Sequence, residues 1–215
     1  ADASNPAAVA KIFAAKGRPQ DHPLIVHLGN IELLPLWARE IPAAARKLAA
    51  AFWPGPLTLI LKRAAGVSDS VTGGQETVGL RIPGHPAALE LLQAFAGEEG
   101  GRRFSGVAAP SANKFGRISP TTAAHVRAEL GDAVQWVLEG GECSVGIEST
   151  IVDLSRGRAV LLRPGQITPA QIAAVIGAEV APPDAAAPRV AGALDHHYAP
   201  RTPLHLVTAE ELPAR

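Results

Sequence analysis

The chain has 215 residues, of which 47% are apolar, and its 20 Lys and Arg residues balance 20 Asp and Glu residues. This length and apolar content suffice for one large domain or for one domain with a tail. The balanced charge argues against the broad basic surface of a dedicated nucleic-acid binder. The single cysteine, Cys143, excludes an internal disulfide and a multi-cysteine zinc site.

No apolar run reaches the roughly 20 residues of a membrane-spanning helix. Residues 1–16 have the pattern of an amphipathic helix and lack the basic start of a signal peptide. We therefore expect a cytoplasmic protein without a membrane partner. Because the chain contains no methionine, we also expect that an N-terminal segment is missing from it.

Four helices are predicted where a capping residue precedes a proline at the first helical position. The four pairs are Asn5-Pro6, His85-Pro86, Ser119-Pro120 and Thr168-Pro169. Glycines are expected to end three of these helices, at Gly17, Gly131 and Gly177. A fifth helix is predicted over residues 42–52, ahead of the turn-forming sequence WPGP.

Seven apolar or alternating runs predict β-strands. They cover residues 24–28, 57–62, 77–82, 106–109, 133–138, 149–154 and 159–162. Helices and strands alternate early in the chain, whereas strands cluster later, which favours a mixed α/β sheet over a purely parallel one. Residues 181–188 are rich in Ala and Pro and are predicted to form a linker.

Cationic residues follow the first helix, and a histidine ends the first strand. Lys16 and Arg18 flank Gly17, where basic side chains commonly satisfy only the last helical carbonyls. The same pair also suits a phosphate, since Arg18 offers a planar fork of donors. A lone histidine such as His27 at a strand end is usually an ordinary edge residue, and its functional interpretation is a group that binds a carboxylate or carbonyl.

Alternation with period two places Thr77, Gly79 and Arg81 on one face of a strand, with apolar residues on the other. Arg81 is then either a solvated side chain or the positive end of a pocket. Small polar residues at Ser111, Asn113 and Ser149 adjoin other strands, and such residues either form turns or bind ligands at strand ends.

Ser119 is predicted to cap a helix whose N-terminus could also accept a phosphate. The glycine-rich loop around residues 140–149 has neither a Walker A motif nor a GxGxxG fingerprint, and Cys143 is interpreted as a passive thiol. Cations, hydroxyls and an imidazole brought together suit an anionic ligand such as a nucleotide phosphate. These clusters therefore predict an enzyme that handles a phosphorylated small molecule.

Six ordered motifs resemble the YrdC/Sua5 family of threonylcarbamoyl-AMP synthases. They are KGRP with PLIVH, FWPGPLTLIL, TVGLRIP, PSAN followed by SPT, STIVD and LLRPG, and a later HYAP segment resembles the longer Sua5 type. The resemblance implies an open, twisted mixed α/β sheet of YrdC type around a basic cavity. It implies a catalytic domain over residues 1–180, followed by a linker or lid over 181–202.

Two parts of the Sua5 pattern are expected to be lacking. Residues 203–215 are interpreted as only the start of a truncated C-terminal domain. The family's PTETVYGLGADA-type segment should lie just before Ala1, so that only its tail remains here.

The resemblance implies a nucleotidyltransferase that converts L-threonine, bicarbonate and ATP into L-threonylcarbamoyladenylate and pyrophosphate. The product serves the t6A modification at position 37 of tRNA, so tRNA is an indirect partner through later pathway enzymes. Mg²⁺ is expected on the triphosphate, and no protein-bound metal is expected. A double-stranded RNA- or tRNA-binding module without catalysis, and a carbamoyltransferase-maturation module, stay open as alternatives, as does the oligomeric state.

The matching motifs also imply roles for individual residues. Lys16 and Arg18 correspond to catalytic positions, and the threonine side corresponds to His27, Arg81 and Ser149. The nucleotide side corresponds to Arg18, His22, Thr77, Ser111, Asn113, Ser119, Arg163 and Tyr198. His22 stands where the family usually has asparagine, and Tyr198 is expected to belong to a lid.

Overall fold

The computed structural model describes residues 1–96, 105–192, 199–200, 202 and 207–208. The α-helices in these ranges are α1 (Pro6–Lys16), α2 (Leu34–Trp37), α3 (Ala43–Phe52), α4 (Asp69–Thr72), α5 (Pro86–Ala96), α6 (Ala123–Leu130) and α7 (Pro169–Ile176). The strands are β1 (Ile25–His27), β2 (Leu57–Lys62), β3 (Thr77–Arg81), β4 (Val107–Ala108), β5 (Thr150–Asp153) and β6 (Val160–Arg163). None of the helices in these ranges has the length and apolar character needed to cross a membrane.

The six strands form one mixed sheet in the order β4-β1-β3-β2-β5-β6. Strands β1 and β3 are parallel, as are β2 and β5, while the other neighbouring pairs are antiparallel. The predicted open mixed α/β sheet is therefore confirmed. Parallel neighbours need long crossover connections, and the helical segments between these strands supply them.

The two faces of the sheet differ in what covers them. Alternate residues such as Val26, Leu80 and Val152 point into the main core, where they pack with α1, α3 and α7. The opposite face carries a small apolar cluster of Ile60, Ile151 and Val190. The polar residues Gln75 and Thr77 lie in a cleft beside this cluster. This face, which the main core does not cover, is called the open face below.

Local capping explains why several helices begin and end where the sequence predicts. The Asn5 side chain accepts hydrogen bonds from the first turn of α1, and Gly17 ends that helix at φ 61°, in the left-handed region that favours glycine. Thr168 and Gln171 form a reciprocal capping box at the start of α7. These predicted boundaries are confirmed.

Two sequence predictions about local structure are wrong. The helix expected at Ser119 begins at Ala123, because Thr122 accepts the capping bond from the His125 amide. The strand expected over residues 133–138 is absent: a 3-10 turn ends at Ala133, and the residues after it are irregular. The side chain of Trp136 is 88% exposed there, so the alternating pattern of this run has no partner strand to pack against.

Candidate functional site

Six of the residues singled out in the sequence line one cavity on the open face of the sheet. The cavity encloses about 450 Å³, including its mouth. These six residues are Arg18, His27, Arg81, Ser111, Ser149 and Arg163. Three of them lie on β1, β3 and β6, and the other three lie in loops next to α1, β4 and β5. Residues spread over almost 150 positions therefore converge only through the fold.

His27 and Arg81 are direct neighbours at the ends of the parallel strands β1 and β3. Arg81 donates from Nε to the Gly55 carbonyl, at 2.9 Å, which fixes the guanidinium beside the cavity. The His27 Nδ1 atom is buried and has no hydrogen-bond partner among the described residues. Burial, helped by the neighbouring Arg81 charge, lowers the pKa of His27 to about 4, so the imidazole is neutral at pH 7 and can accept or donate a hydrogen bond.

Arg163 and Ser149 form the best-connected pair of the site. Arg163 donates from Nε to the Ser149 carbonyl at 3.0 Å and from Nη2 to the Ser149 hydroxyl at 2.9 Å. The same hydroxyl lies 2.8 Å from the hydroxyl of Thr58 on β2. Gly165 permits this close packing, because a side chain there would meet the Glu148 carbonyl and the Thr150 amide within 2.6 Å.

Lys16 lies behind the cavity wall and holds the PSAN loop. Its Nζ donates to the Ser111 carbonyl at 2.6 Å and to the carbonyl of Asn113, a residue that is itself buried. Burial, together with the nearby Arg18 charge, lowers the pKa of Lys16 to about 8. An anion bound in the cavity would stabilise the charged form of Lys16 and raise its pKa again.

Arg18 is buried as well, and its partners leave the guanidinium poorly compensated. Nη2 donates to the Pro23 carbonyl at 2.7 Å, while Nε is buried with no partner in the part of the chain that the structure describes. Burial lowers the pKa of Arg18 to about 10. Buried cations that bond to carbonyls instead of carboxylates are costly in the absence of a ligand, so this wall of the cavity suits an anion.

Sequence reasoning missed Glu148, the only carboxylate among the described residues that line the cavity. Its Oε1 atom accepts a hydrogen bond from the Ser119 hydroxyl at 2.6 Å, and its Oε2 atom lies 3.7 Å from Arg163 Nη2. An acidic residue inside a glycine-rich loop is unremarkable by pattern. Its position immediately before Ser149 was the available signal.

Three other predicted residues, Thr77, His22 and Ser119, do not line this cavity. Thr77 lines an adjoining cleft with Gly79 and Gln75, and His22 packs edge-on against the ring of Phe115, with centroids 5.2 Å apart. Ser119 lines a separate, larger cavity of about 940 Å³ with Ala199. Tyr198 lies outside the described residues.

Residues 189–191, here called the strap, cross the open face of the sheet beside the cavity. The Gln75 side chain exchanges hydrogen bonds of 2.8 and 3.0 Å with the backbone of Arg189. Val190 packs on the apolar cluster of the open face, and the Ala191 carbonyl accepts from Arg163 Nη1 at 2.8 Å. The strap therefore connects the predicted linker directly to a cavity residue.

No cluster of three or more His, Cys, Asp or Glu side chains in the described part of the chain is suited to hold a metal ion. The arrangement supplies cations, hydroxyls, one neutral imidazole and one carboxylate. Such groups can bind a zwitterion beside a polyanion, and they can stabilise charge that builds up on a leaving anion.

Comparison with protein families gives two consecutive matches. The model of the Sua5/YciO/YrdC family, described as "Telomere recombination", matches residues 1–165. A second model, "Threonylcarbamoyl-AMP synthase, C-terminal domain", matches residues 167–215. The expectation that this chain lacks the C-terminal domain is therefore wrong.

The reason for this error lies in the composition of the chain. The second match begins before the Ala/Pro-rich stretch that suggested a boundary, and its first helix, α7, packs Ile172 into the main core. Neither a change in composition nor a separate core marks its start.

Individual relatives agree with the family matches. The chain is 44% identical over 177 residues to a threonylcarbamoyl-AMP synthase of Pyrococcus abyssi and 46% identical over 180 residues to one of Bacillus subtilis. Each alignment covers 82% of this chain but only 50% and 49% of the relatives. The chain thus spans about half the length of these relatives. The crystal structure of P. abyssi Sua5 complexed with L-threonine superposes with a TM-score of 0.84 at 41% identity, covering 93% of this chain and 58% of that one.

Proposed function

This chain belongs to the Sua5/YciO/YrdC family, and from that premise we propose that it carries the catalytic site of a threonylcarbamoyl-AMP synthase. The proposed reaction joins L-threonine, bicarbonate and ATP into L-threonylcarbamoyladenylate and releases pyrophosphate. The observation that carries the proposal is the convergence of Arg18, His27, Arg81, Ser149 and Arg163 on one cavity. The cavity offers separate partners for an amino acid and for a polyphosphate.

On the threonine side, Arg81 binds the substrate carboxylate through charge-assisted hydrogen bonds. Its Nε is already held by the Gly55 carbonyl, so the terminal nitrogens of the fork are the ones that meet the carboxylate. The neutral imidazole of His27 and the hydroxyl of Ser149 form hydrogen bonds with the polar groups of the amino acid. In support of this grouping, His27 and Arg81 are paired in register on adjacent strands.

On the nucleotide side, Lys16, Arg18 and Arg163 offset the charge of the triphosphate and of the departing pyrophosphate. Preorganised cations act best where negative charge develops in the transition state. Ser111, Asn113, Ser119, His22, Thr77 and Tyr198 are proposed to contact the nucleotide. Mg²⁺ arrives as part of the substrate, bound to the triphosphate.

The chemistry proceeds in two steps. The threonine amine attacks the carbon of bicarbonate, and water leaves to give N-carboxythreonine. The carbamate oxygen then attacks the α-phosphorus of ATP, and the bond from that phosphorus to the bridging oxygen of pyrophosphate breaks. Exclusion of water from the site would protect the carbamate intermediate and the mixed-anhydride product from hydrolysis.

In the cell, we place this activity in the cytoplasm, upstream of t6A37 formation in tRNA, with tRNA engaged through later enzymes. Residues 1–180 are proposed as the catalytic domain and residues 181–202 as a linker that also serves as a lid. The contacts of the strap with Gln75 and Arg163 support a role of this linker at the site.

Pyrophosphate release tests the proposal. Purified chain should release pyrophosphate from MgATP only when L-threonine and bicarbonate are both present. L-Serine and a mixture without amino acid are the controls, and equal release with either would refute the threonine assignment. Salt-dependent tRNA binding without pyrophosphate release would instead favour the non-catalytic RNA-binding alternative.

A further inference from the structure

The cavity leaves one charge of the amino acid without an assigned partner. A zwitterionic substrate brings an ammonium group as well as a carboxylate, and the cations that line the cavity repel it. These cations are contributed by Arg18, Arg81 and Arg163. An ammonium placed among them without an anion would be strongly disfavoured.

Glu148 supplies the missing negative charge. We propose, as a deepening of the function proposed above, that Glu148 binds the ammonium group of the amino acid and accepts its proton. The carboxylate lines the same cavity as Arg81 and precedes Ser149 in the chain. Its contacts with Ser119 at 2.6 Å and Arg163 at 3.7 Å hold the carboxylate in the cavity wall.

Charged residues on several elements lie around Glu148. Arg163 on β6 is the nearest cation. The Glu148 carboxylate also counteracts the lowering of the pKa that burial causes at Arg81 on β3 and at Lys16 on α1. The remaining charged or titratable residues that line this cavity are Arg18 and His27. Since the His27 imidazole is neutral at pH 7, Glu148 is the group here that can attract a cation.

The proton balance of the first step fits this role. The ammonium transfers one proton to the Glu148 carboxylate, which becomes a neutral carboxylic acid. The freed amine forms the carbon–nitrogen bond with bicarbonate. The bicarbonate hydroxyl leaves as water with one of the two amine protons, and the carbamate nitrogen keeps the other. Glu148 then releases its proton to solvent. The backbone at Glu148 is well fixed for this purpose, because Gly165 packs directly against its carbonyl.

Two matched ligands test the assignment without relying on turnover. L-Threonine and 3-hydroxybutanoate, which is threonine without its ammonium group, are titrated by calorimetry in the absence of ATP. The wild-type chain should prefer threonine, and Glu148→Gln should reduce that preference by about ten- to a hundredfold, the range for a lost charge-assisted hydrogen bond. Glu142→Gln is the control, because Glu142 lies in the same loop with its side chain exposed.

A further variant separates recognition from structural support. Ser119→Ala removes the hydrogen bond that holds Glu148 but keeps the carboxylate, so it should retain the preference for threonine. In the pyrophosphate assay, Glu148→Gln should lower kcat by at least about a hundredfold. Part of that loss should return at alkaline pH, where solvent removes the proton, and Glu148→Asp should recover activity at neutral pH.

The outcomes distinguish this inference from the proposed function. If Glu148→Gln keeps the wild-type preference for threonine, or a wild-type pH profile, the assignment of Glu148 is wrong while the function stands. If the wild-type chain binds no threonine and releases no pyrophosphate, the proposed function fails and this inference fails with it.

Discussion

Arg163 forms two hydrogen bonds to Ser149, donating to its backbone carbonyl at 3.0 Å and to its hydroxyl at 2.9 Å. Arg163 is proposed to bind the nucleotide and Ser149 the amino acid, so one side chain connects the two halves of the site. A third donor, Nη1, bonds to the Ala191 carbonyl of the strap. A substitution at Arg163 should therefore affect the binding of both substrates.

Arg163→Lys tests this connection. Lysine keeps the charge but cannot reproduce the fork of donors, so it loses contacts to Ser149 or to the strap. We expect the KM values for ATP and for threonine to rise together, each by about tenfold or more for a lost charge-assisted bond. Steady-state kinetics with each substrate varied in turn measures both constants. A rise in the KM for ATP alone would show that the hydrogen bonds between Arg163 and Ser149 do not couple the two substrate sites.

Arg81→Ala should act on one substrate only. Removal of the guanidinium deprives the threonine carboxylate of its partner, which costs about 1.5–3 kcal/mol, or roughly ten- to a hundredfold in affinity. The KM for threonine should rise by that factor, with little change for ATP. Arg46→Ala on the exposed face of α3 serves as the control. Unchanged threonine binding would make Arg81 a structural residue of its strand.

Period-two alternation was sufficient to place Arg81 on the open face and Leu80 in the core. The adjacency of His27 and Arg81 was not predictable from local pattern, because it depends on β1 pairing with β3 rather than with β2. Such a crossover is set by long-range packing of the whole sheet. The motifs thus identified which residues matter, whereas topology decided which of them meet.

The sequence predictions failed where a neighbouring residue formed the interaction that the pattern had suggested for another residue. The Ser119-Pro120 pair looked like a helix start, yet Thr122 takes the capping role and leaves the Ser119 hydroxyl for Glu148. Side-chain pairing of this kind joins residues far apart in the chain, and no periodicity reports it. Glu148 went unnoticed for the same reason.

The lowered pKa of Lys16 predicts a pH dependence of nucleotide binding. Burial lowers this pKa to about 8 in the free protein, and a bound triphosphate should raise it again. The complex then holds more protons than the free protein above pH 8, so binding should weaken as the pH rises from about 7.5 to 9.5.

Calorimetry with a non-hydrolysable ATP analogue measures this effect. Titrations at pH 8.5 in buffers of different ionisation enthalpy should reveal proton uptake, and the affinity should fall by up to tenfold per pH unit. Phosphate groups ionise near pH 6, so the ligand contributes little in this range. Lys16→Met, which cannot titrate, is the matched variant. Equal proton uptake in that variant would assign the proton to another group.

The strap leads to the last prediction, because it joins the predicted lid to the cavity. The chain contacts the site region at Val190, which packs on the open-face cluster, and at Ala199, whose amide donates to the Gly116 carbonyl at 2.9 Å. Tyr198 precedes Ala199 and is expected to contact the nucleotide. A lid formed here would shield the carbamate and the mixed anhydride from water. The alternative is that this segment only packs against the domain surface.

Hydrogen exchange separates the two interpretations. If the segment is a lid, amides at residues 189–192 and at Ala199 should gain protection when MgATP and threonine are added, and Tyr198→Ala should weaken ATP binding. Gln75→Ala removes both side-chain bonds to Arg189, so it should speed exchange at the strap and raise the KM for ATP. Gln93→Ala, exposed on α5, should do neither. Unchanged protection on ligand addition, with normal ATP affinity in Tyr198→Ala, would make this segment a linker only.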